Sequence, residues 1–337
     1  MAFQLQSVHF IITNQCNLNC LHCFADSGVA GYEMTMDEIR KVLRELRELG
    51  VFQVLFTGGE PFCRNDFFEV MEDAEAMDFA MVIETNGTLL DEERIRRLKN
   101  FSIVYVQIPF EGLENVNDTI RGDGNFKCSL SVIEQLTKND IPVRARITAT
   151  KKSLNDLYSL VSVLVLLGIS SVTIREFVPL GRGGQFAHEL LLDTHAKGEF
   201  ANIIARIRSE FGPSMDIQAA GIHNYLAGNG SSPWGGVKYR NLAILPDGCV
   251  NVCEIFPFYC GNVRLQPLAH ILANSPVIKS FRDFDRNRLT GHCAVCCFRN
   301  KCDGCRLFSF MFRGDIYTGD PLCYWACAEN EPNSLVV

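Results

Sequence analysis

"VHFIITNQCNLNCLHCF", residues 8–24, carries a strand straight into a cysteine loop. Val8 to Thr13 are mostly apolar and β-branched or aromatic, the composition of a buried strand. Cys16, Cys20 and Cys23 follow in CxxxCxxC spacing. Metal sites commonly take four ligands, and this loop offers three thiols. An iron–sulfur cubane held by three thiolates keeps one iron open to a small molecule. A zinc ion completed by His22 or His9, or a set of spare thiols, fits the spacing as well.

Outward from this loop the chain alternates helices and strands. "TMDEIRKVLRELRELG" (35–50) reads as a helix: Thr35 and Glu38 make a capping box, and Gly50 stops it. Ile39, Val42, Leu43, Leu46 and Leu49 form its apolar stripe. "VFQVLFT" (51–57), "AMVIET" (80–85), "IVYVQIPF" (103–110), "IPVRARITAT" (141–150) and "SSVTIREFV" (170–178) read as strands. Helical patterns cover 66–77, 91–100, 127–140, 153–168 and 194–210, with a long loop running to Gly124. About six βα units in series predict an α/β fold: a parallel sheet, doubly wound or rolled into a full or partial barrel. Sites in such folds lie at the C-terminal strand ends, where the cysteines, Gly58-Gly59-Glu60 and "TNG" (85–87) fall. After Pro213 the pattern changes. "YRNLAILPDGCVNVC" (239–253) reads as a β-hairpin turning at Asp247-Gly248. The remainder is cysteine-dense and short of core, so metal is expected to staple it. The expected division is 1–213 and 214–337.

The 337 residues are 47% hydrophobic and 21% charged, with net charge −7. That balance supplies a core and disfavours a nucleic-acid surface. The first residues lack a signal-peptide pattern, and the apolar run from Val163 is too short to span a bilayer. A cytoplasmic protein without membrane contact is expected. Of fifteen cysteines, ten lie between Cys249 and Cys327, which points to metal or redox chemistry in a reducing compartment.

With the cysteine loop after strand one, Phe24 behind its last cysteine, and Gly58-Gly59-Glu60-Pro61 after strand two, the chain resembles the radical S-adenosylmethionine (SAM) enzymes. The resemblance runs in order through the first two-thirds of the chain and implies a partial (β/α)6 barrel. It implies a [4Fe-4S] cluster on Cys16, Cys20 and Cys23, with SAM bound at the open iron. One electron would cleave SAM, and the 5′-deoxyadenosyl radical would take a substrate hydrogen atom. Gly58 and Gly59 would let backbone approach the ligand, and carbonyls with Glu60 would accept from its ammonium. Thr85 and Asn86 in "ETNGTLL" match the family near the cofactor. Arg146 and Arg175 lie on strands that supply ribose and carboxylate contacts, or stand in structural ion pairs. The family's serine at the end of strand four is replaced by Pro109, which has neither hydroxyl nor N–H, while Glu111 keeps the acidic role.

The tail resembles the SPASM extension, which implies one or two auxiliary clusters. Cys293, Cys296, Cys302 and Cys323 would hold the distal one, and Cys253 and Cys305 the nearer. Two departures stand out: the motif ends CxxC at Cys302–Cys305, and residues 213–248 contain no cysteine. Cys249 or Cys260 would complete the nearer set, or it would stay incomplete. A pair of zinc knuckles is the alternative. Cys63, Cys128, Cys297, Cys327 and one of Cys249 or Cys260 are left over, mostly as small buried hydrophobes. In an epimerase, Cys249 or Cys260 would serve as hydrogen-atom donor.

No winged-helix leader-binding domain precedes Cys16, so the expected substrate is a small polar metabolite such as a sugar, nucleoside or aminoglycoside. Epimerisation, dehydrogenation or decarboxylation would follow. The alternative is a ribosomal-peptide maturase working with a separate leader-binding protein. "VPLGRGG" (178–184), shared with peptide- and haem-modifying relatives, points that way. A non-catalytic zinc protein is the remote alternative. A flavodoxin or ferredoxin is the implied electron donor.

Overall fold

The computed structural model describes residues 5–28, 31–219, 241–256, 258–300 and 302–323. Cys327 and the first residues of the expected hairpin lie outside them. All fourteen cysteines among the described residues are free thiols.

Seven parallel strands run in sequence order: β1 (Ser7–Ile11), β2 (Gln53–Thr57), β3 (Ala80–Glu84), β4 (Ile103–Phe110), β5 (Val143–Ala149), β6 (Ser171–Glu176) and β7 (Asp216–Ala219). The crossovers between them are helical: α1 (Met36–Glu48), α2 (Phe67–Ala76), α3 (Glu92–Leu98), α4 (Glu114–Arg121), α5 (Asn125–Lys138), α6 (Leu157–Leu166), α7 (Ala187–Leu190) and α8 (Thr194–Phe211). β8 (Asn241–Ile244) adds in parallel on the other side of β1, and the antiparallel β9 (Cys249–Asn251) and β10 (Tyr259–Asn262) follow it. The order is β10-β9-β8-β1-β2-β3-β4-β5-β6-β7, an open sheet in the form of a partial barrel.

The helix-facing side of the sheet is dry. Phe10, Phe56, Ile83, Ile108, Ile147 and Ile174 alternate along their strands into one core with Ile39, Leu43 and Leu46 of α1. Thr35 accepts from Glu38 N, and the Glu38 carboxylate accepts from Thr35 N, so the capping box is present. The long loop expected before Gly124 contains α4, and β7 was not expected. Strands from both sides of residue 213 share the sheet, because β8 pairs with β1 and β7 with β6. Among the described residues no helix is long and apolar enough to cross a membrane.

Candidate active site

The cysteine loop leaves β1 at the C-terminal end of the sheet and is braced from three sides. On one side Gly59 N donates to Thr13 O (2.9 Å) and Glu60 N to Gln15 O (2.8 Å), continuing the β1–β2 ladder into both loops. A Cβ on Gly58 would lie 2.5 Å from Thr13 O, and one on Gly59 2.3 Å from Gln15 O. These glycines therefore admit the cysteine loop's own backbone, rather than only a ligand.

Glu60 is wholly buried. Its carboxylate accepts from Phe62 N (3.1 Å), Thr85 Oγ1 (2.7 Å) and Asn86 N (2.7 Å). It latches the loop after β2 to the loop after β3, so the groups left here for an ammonium are chiefly carbonyls. Burial pushes its carboxyl up, and these hydrogen bonds oppose that. Asn86 Nδ2 donates to Asn17 Oδ1 (3.0 Å) and approaches Cys16 Sγ at 4.0 Å.

The second brace comes from β4 and α4. Glu111, also wholly buried, accepts from Arg121 Nε (2.8 Å) and Nη2 (2.6 Å) and lies 3.0 Å from His22 Nε2. Arg121 Nη1 reaches Cys20 Sγ at 3.9 Å. Glu111 Oε2 and His22 Nδ1 are buried without a hydrogen-bond partner among the described residues. Burial opposes the Glu111 charge, but His22 and Arg121 outweigh it and hold the carboxyl below its ordinary value.

The third brace is "VPLGRGG". Gly183 N donates to Cys23 O (3.1 Å), and Arg182 donates to Ser27 O (2.7 Å) and Cys20 O (3.4 Å). A Cβ on Gly181 would meet Phe24 O at 2.4 Å. Phe24 itself is half-buried. The glycine-rich run after β6 was the sequence signal for this strap, although its spacing alone did not say what it would touch.

Cys16, Cys20 and Cys23 are neighbours, and burial pushes Cys16 up to about 11. Cys63, a leftover thiol by sequence, stands beside Cys16 and receives a hydrogen bond from the Asn17 backbone. Among the described residues no three His, Cys, Asp or Glu side chains converge on a point as a single ion requires. Neighbouring thiols that do not converge on one point suit a cluster of several irons, and the Arg121 and Asn86 donors beside their sulfurs suit bound thiolates. His22 is engaged with Glu111, and His9 stands on β1.

In the tail, Cys253 and Cys305 are neighbours, and burial drives both thiols up, Cys305 to about 12. Cys293 stands beside Cys296 and Cys302. Backbone N–H groups point at sulfur: Phe298 N at Cys296 (3.4 Å) and Gly304 N at Cys302 (3.3 Å). Asp320 ties the two groups together, accepting from Cys305 N through Oδ2 (2.7 Å) and from Cys323 N through its carbonyl (3.1 Å). Cys249 and Cys260 depart from expectation. Cys260 is buried in the apolar core with Sγ on Phe258 O, so it presents no thiol to the barrel lumen. Cys249 is held in the hairpin turn by Asp247 Oδ2 (3.2 Å) and Asn262 Nδ2 (3.5 Å). Neither placement supports a hydrogen-atom donor or a third ligand beside the Cys253–Cys305 pair.

Arg146 on β5 pairs with Glu84 at 3.4 Å, and Arg175 on β6 stands nearby. Glu254, which sequence reasoning passed over, faces His9, Arg146 and Arg175. Burial works against its charge, but these neighbours prevail and hold its carboxyl at about 2.

Comparison with known proteins agrees with this geometry. Residues 10–158 match the radical SAM superfamily, and residues 236–305 match an iron–sulfur cluster-binding domain, SPASM. The AdoMet-dependent heme synthase of Methanosarcina barkeri is 27% identical, over 93% of this chain and 95% of its own. The PqqA peptide cyclase of Bradyrhizobium diazoefficiens is 28% identical, over 93% of this chain and 84% of its own. The crystal structure of Streptococcus suis SuiB bound to precursor peptide SuiA has the same fold, with TM-score 0.78 and 16% identity over 96% of this chain and 76% of that one. The braced three-cysteine loop, the paired thiols of the tail and these matches agree: the chain is an enzyme with a radical SAM domain over residues 10–158 and a SPASM domain over residues 236–305, using iron–sulfur clusters and SAM.

Proposed function

We propose that this enzyme matures a ribosomally made peptide. The similarity to a peptide cyclase along 93% of the chain carries the reading. It replaces the expectation of a sugar-like metabolite, since the relatives named above act in haem synthesis or on peptides. A tetrapyrrole substrate is the second reading, favoured by the heme synthase matched over 95% of its length.

In this reading Cys16, Cys20 and Cys23 hold the SAM-binding cluster. When bound, cluster and SAM supply one-electron C–S cleavage and hydrogen-atom abstraction. Arg121 donates to the Cys20 sulfur and keeps the Glu111 carboxylate charged beneath the loop. Asn86 and the carbonyls around Gly58–Glu60 face the cofactor, while Glu60 fixes their positions from below. Cys253 and Cys305 serve one auxiliary cluster. Cys293, Cys296, Cys302 and Cys323 serve the other. A flavodoxin or ferredoxin delivers electrons, in the cytoplasm.

Anaerobic reconstitution with SAM and dithionite tests the chemistry. Wild type should form 5′-deoxyadenosine. Cys16→Ala, Cys20→Ala and Cys23→Ala should not, while keeping the auxiliary iron. Co-expression with short open reading frames neighbouring the gene tests the substrate. A peptide with an enzyme-dependent mass change supports maturation, whereas loss of carboxyl groups from a porphyrin with every peptide unchanged would favour the second reading.

A further inference from the structure

The lumen of the partial barrel holds charged groups that the cysteine loop does not use. Ala145, Ile147 and Ala149 of β5, and Val172 and Ile174 of β6, are buried in the main hydrophobic core. Alternation then puts Arg146 and Arg175 on the other, concave face. The β5–β6 register sets Arg146 beside Thr173 and Thr148 beside Arg175, so the two arginines are a step apart along the strands. Arg146 has a partner in Glu84 Oε1, which also accepts from Gln107 Nε2 at 2.7 Å. Arg175 makes no hydrogen bond or ion pair among the described residues. Its side chain is exposed, yet Arg146, Glu254, Glu84 and Cys253 all act on it. That combination describes a side chain inside an open cavity. His9 Nδ1, on the same face of the sheet in β1, is buried without a hydrogen-bond partner among the described residues.

Enclosure by the lumen walls and the like charge of Arg146 disfavour the Arg175 guanidinium, and Glu254 and Glu84 only partly offset them. Arginine stays protonated regardless, and none of these carboxylates hydrogen-bonds Arg175 among the described residues, so its N–H donors can receive an incoming anion. Its planar fork matches a carboxylate through two parallel N–H···O bonds. Cys253 places the seat beside the auxiliary-cluster end of the lumen, and Glu84 at the end of β3 links it to the SAM end.

We propose that Arg175, backed by Arg146, is the seat of a substrate carboxylate in the barrel lumen. This rests on the reading that the lumen receives a peptide or a tetrapyrrole. The carboxylate is then an acidic side chain or chain terminus of the peptide, or a propionate of the tetrapyrrole.

The test uses reconstituted full-length enzyme and two acid–ester pairs. One is iron coproporphyrin III and its tetramethyl ester, followed by the Soret band. The other is a random octapeptide pool and its methyl-esterified form, followed by mass-spectrometric enrichment on immobilised enzyme. Wild type should bind the acid form of at least one probe tenfold or more tightly than the ester. Arg175→Gln should level the two forms. Arg175→Lys, a point charge without the fork, should fall between. Selectivity confined to one pair supports the seat and identifies the source. Equal binding of acid and ester by wild type in both pairs would overturn the proposal, even if the variant fails to fold. Preserved selectivity in a folded Arg175→Gln would also overturn it, as would a change confined to the Kd of SAM. The two readings fail separately. A precursor peptide modified at the wild-type rate by Arg175→Gln sinks the seat and leaves maturation standing. Acid-selective binding with no peptide ever modified sinks maturation and leaves the seat.

Discussion

At the residue scale, buried charge governs the cysteine loop. Glu111 is wholly enclosed, and its charge depends on Arg121 and His22. Arg121→Ala should strand that carboxylate and cost about 3–5 kcal/mol, read from urea unfolding of the apoprotein. A cost within error of zero would mean that Glu111 simply protonates or finds water. Gly181 makes a different prediction. Its φ of +55° and the 2.4 Å approach to Phe24 O leave no room for a methyl group. Gly181→Ala should displace the strap and lower the iron count by about one cubane, four irons, while the auxiliary iron stays. Gly122 is the control: its φ is +114° but nothing lies within 4 Å of a Cβ there. Gly122→Ala should strain the backbone and keep the iron.

At the element scale, helices split into those written in local chemistry and those imposed by packing. α1 belongs to the first kind: cap, stripe and stop all stand in its own sequence. Glu38 closes its capping box and receives Arg264 Nε at 2.7 Å, and Arg264 with Thr35 lowers its carboxyl. A lowered carboxyl stabilises the fold above the unfolded value of about 4.3 and loses that contribution as pH falls through the folded value. Glu38→Gln should therefore lower the melting temperature at neutral pH. The difference from wild type should close as pH falls below the ordinary carboxylate range. A difference independent of pH would assign the effect to packing. α4 belongs to the second kind. "ENVNDTIR" is rich in weak helix formers, and its N-cap makes no side-chain hydrogen bond. Buried Asn117 holds it in place, accepting from Glu111 N at 3.0 Å and donating to Asn125 Oδ1 at 3.1 Å. Those partners lie outside the helix, so the pattern alone read as loop.

At the scale of the whole molecule, the tail is organised around sulfur as much as around a core. Arg306 is buried, with Nη1 on the carbonyls of Ile316 (2.9 Å) and Thr318 (2.7 Å) and Nη2 on Cys293 Sγ (3.6 Å). Raised thiols such as Cys302, at about 11, release their protons when metal binds, so metal binding there is folding energy. Cys293→Ala should lose auxiliary iron and melt the tail at lower temperature, while the signal of the parallel sheet survives. An unchanged iron count and melting curve would remove Cys293 from the ligand set.

The sequence by itself determined the chemistry and the order of elements. CxxxCxxC after a strand, GGE after the next and the cysteine-dense tail are local patterns, and local patterns survive without coordinates. It also determined the stripe and caps of α1, which depend on neighbours within one turn. Only the tertiary structure decided what each motif touches. Gly58 and Gly59 meet the backbone of Thr13 and Gln15, and Glu60 latches β2 to β3. "VPLGRGG" straps a loop about 160 residues upstream. Cys260 sinks into the core, while Glu254 rises to face Arg146 and Arg175. β7 and β8 join one sheet across a change in composition that read as a boundary. Such contacts depend on burial and on partners remote in sequence, and those exist only once the chain has closed on itself.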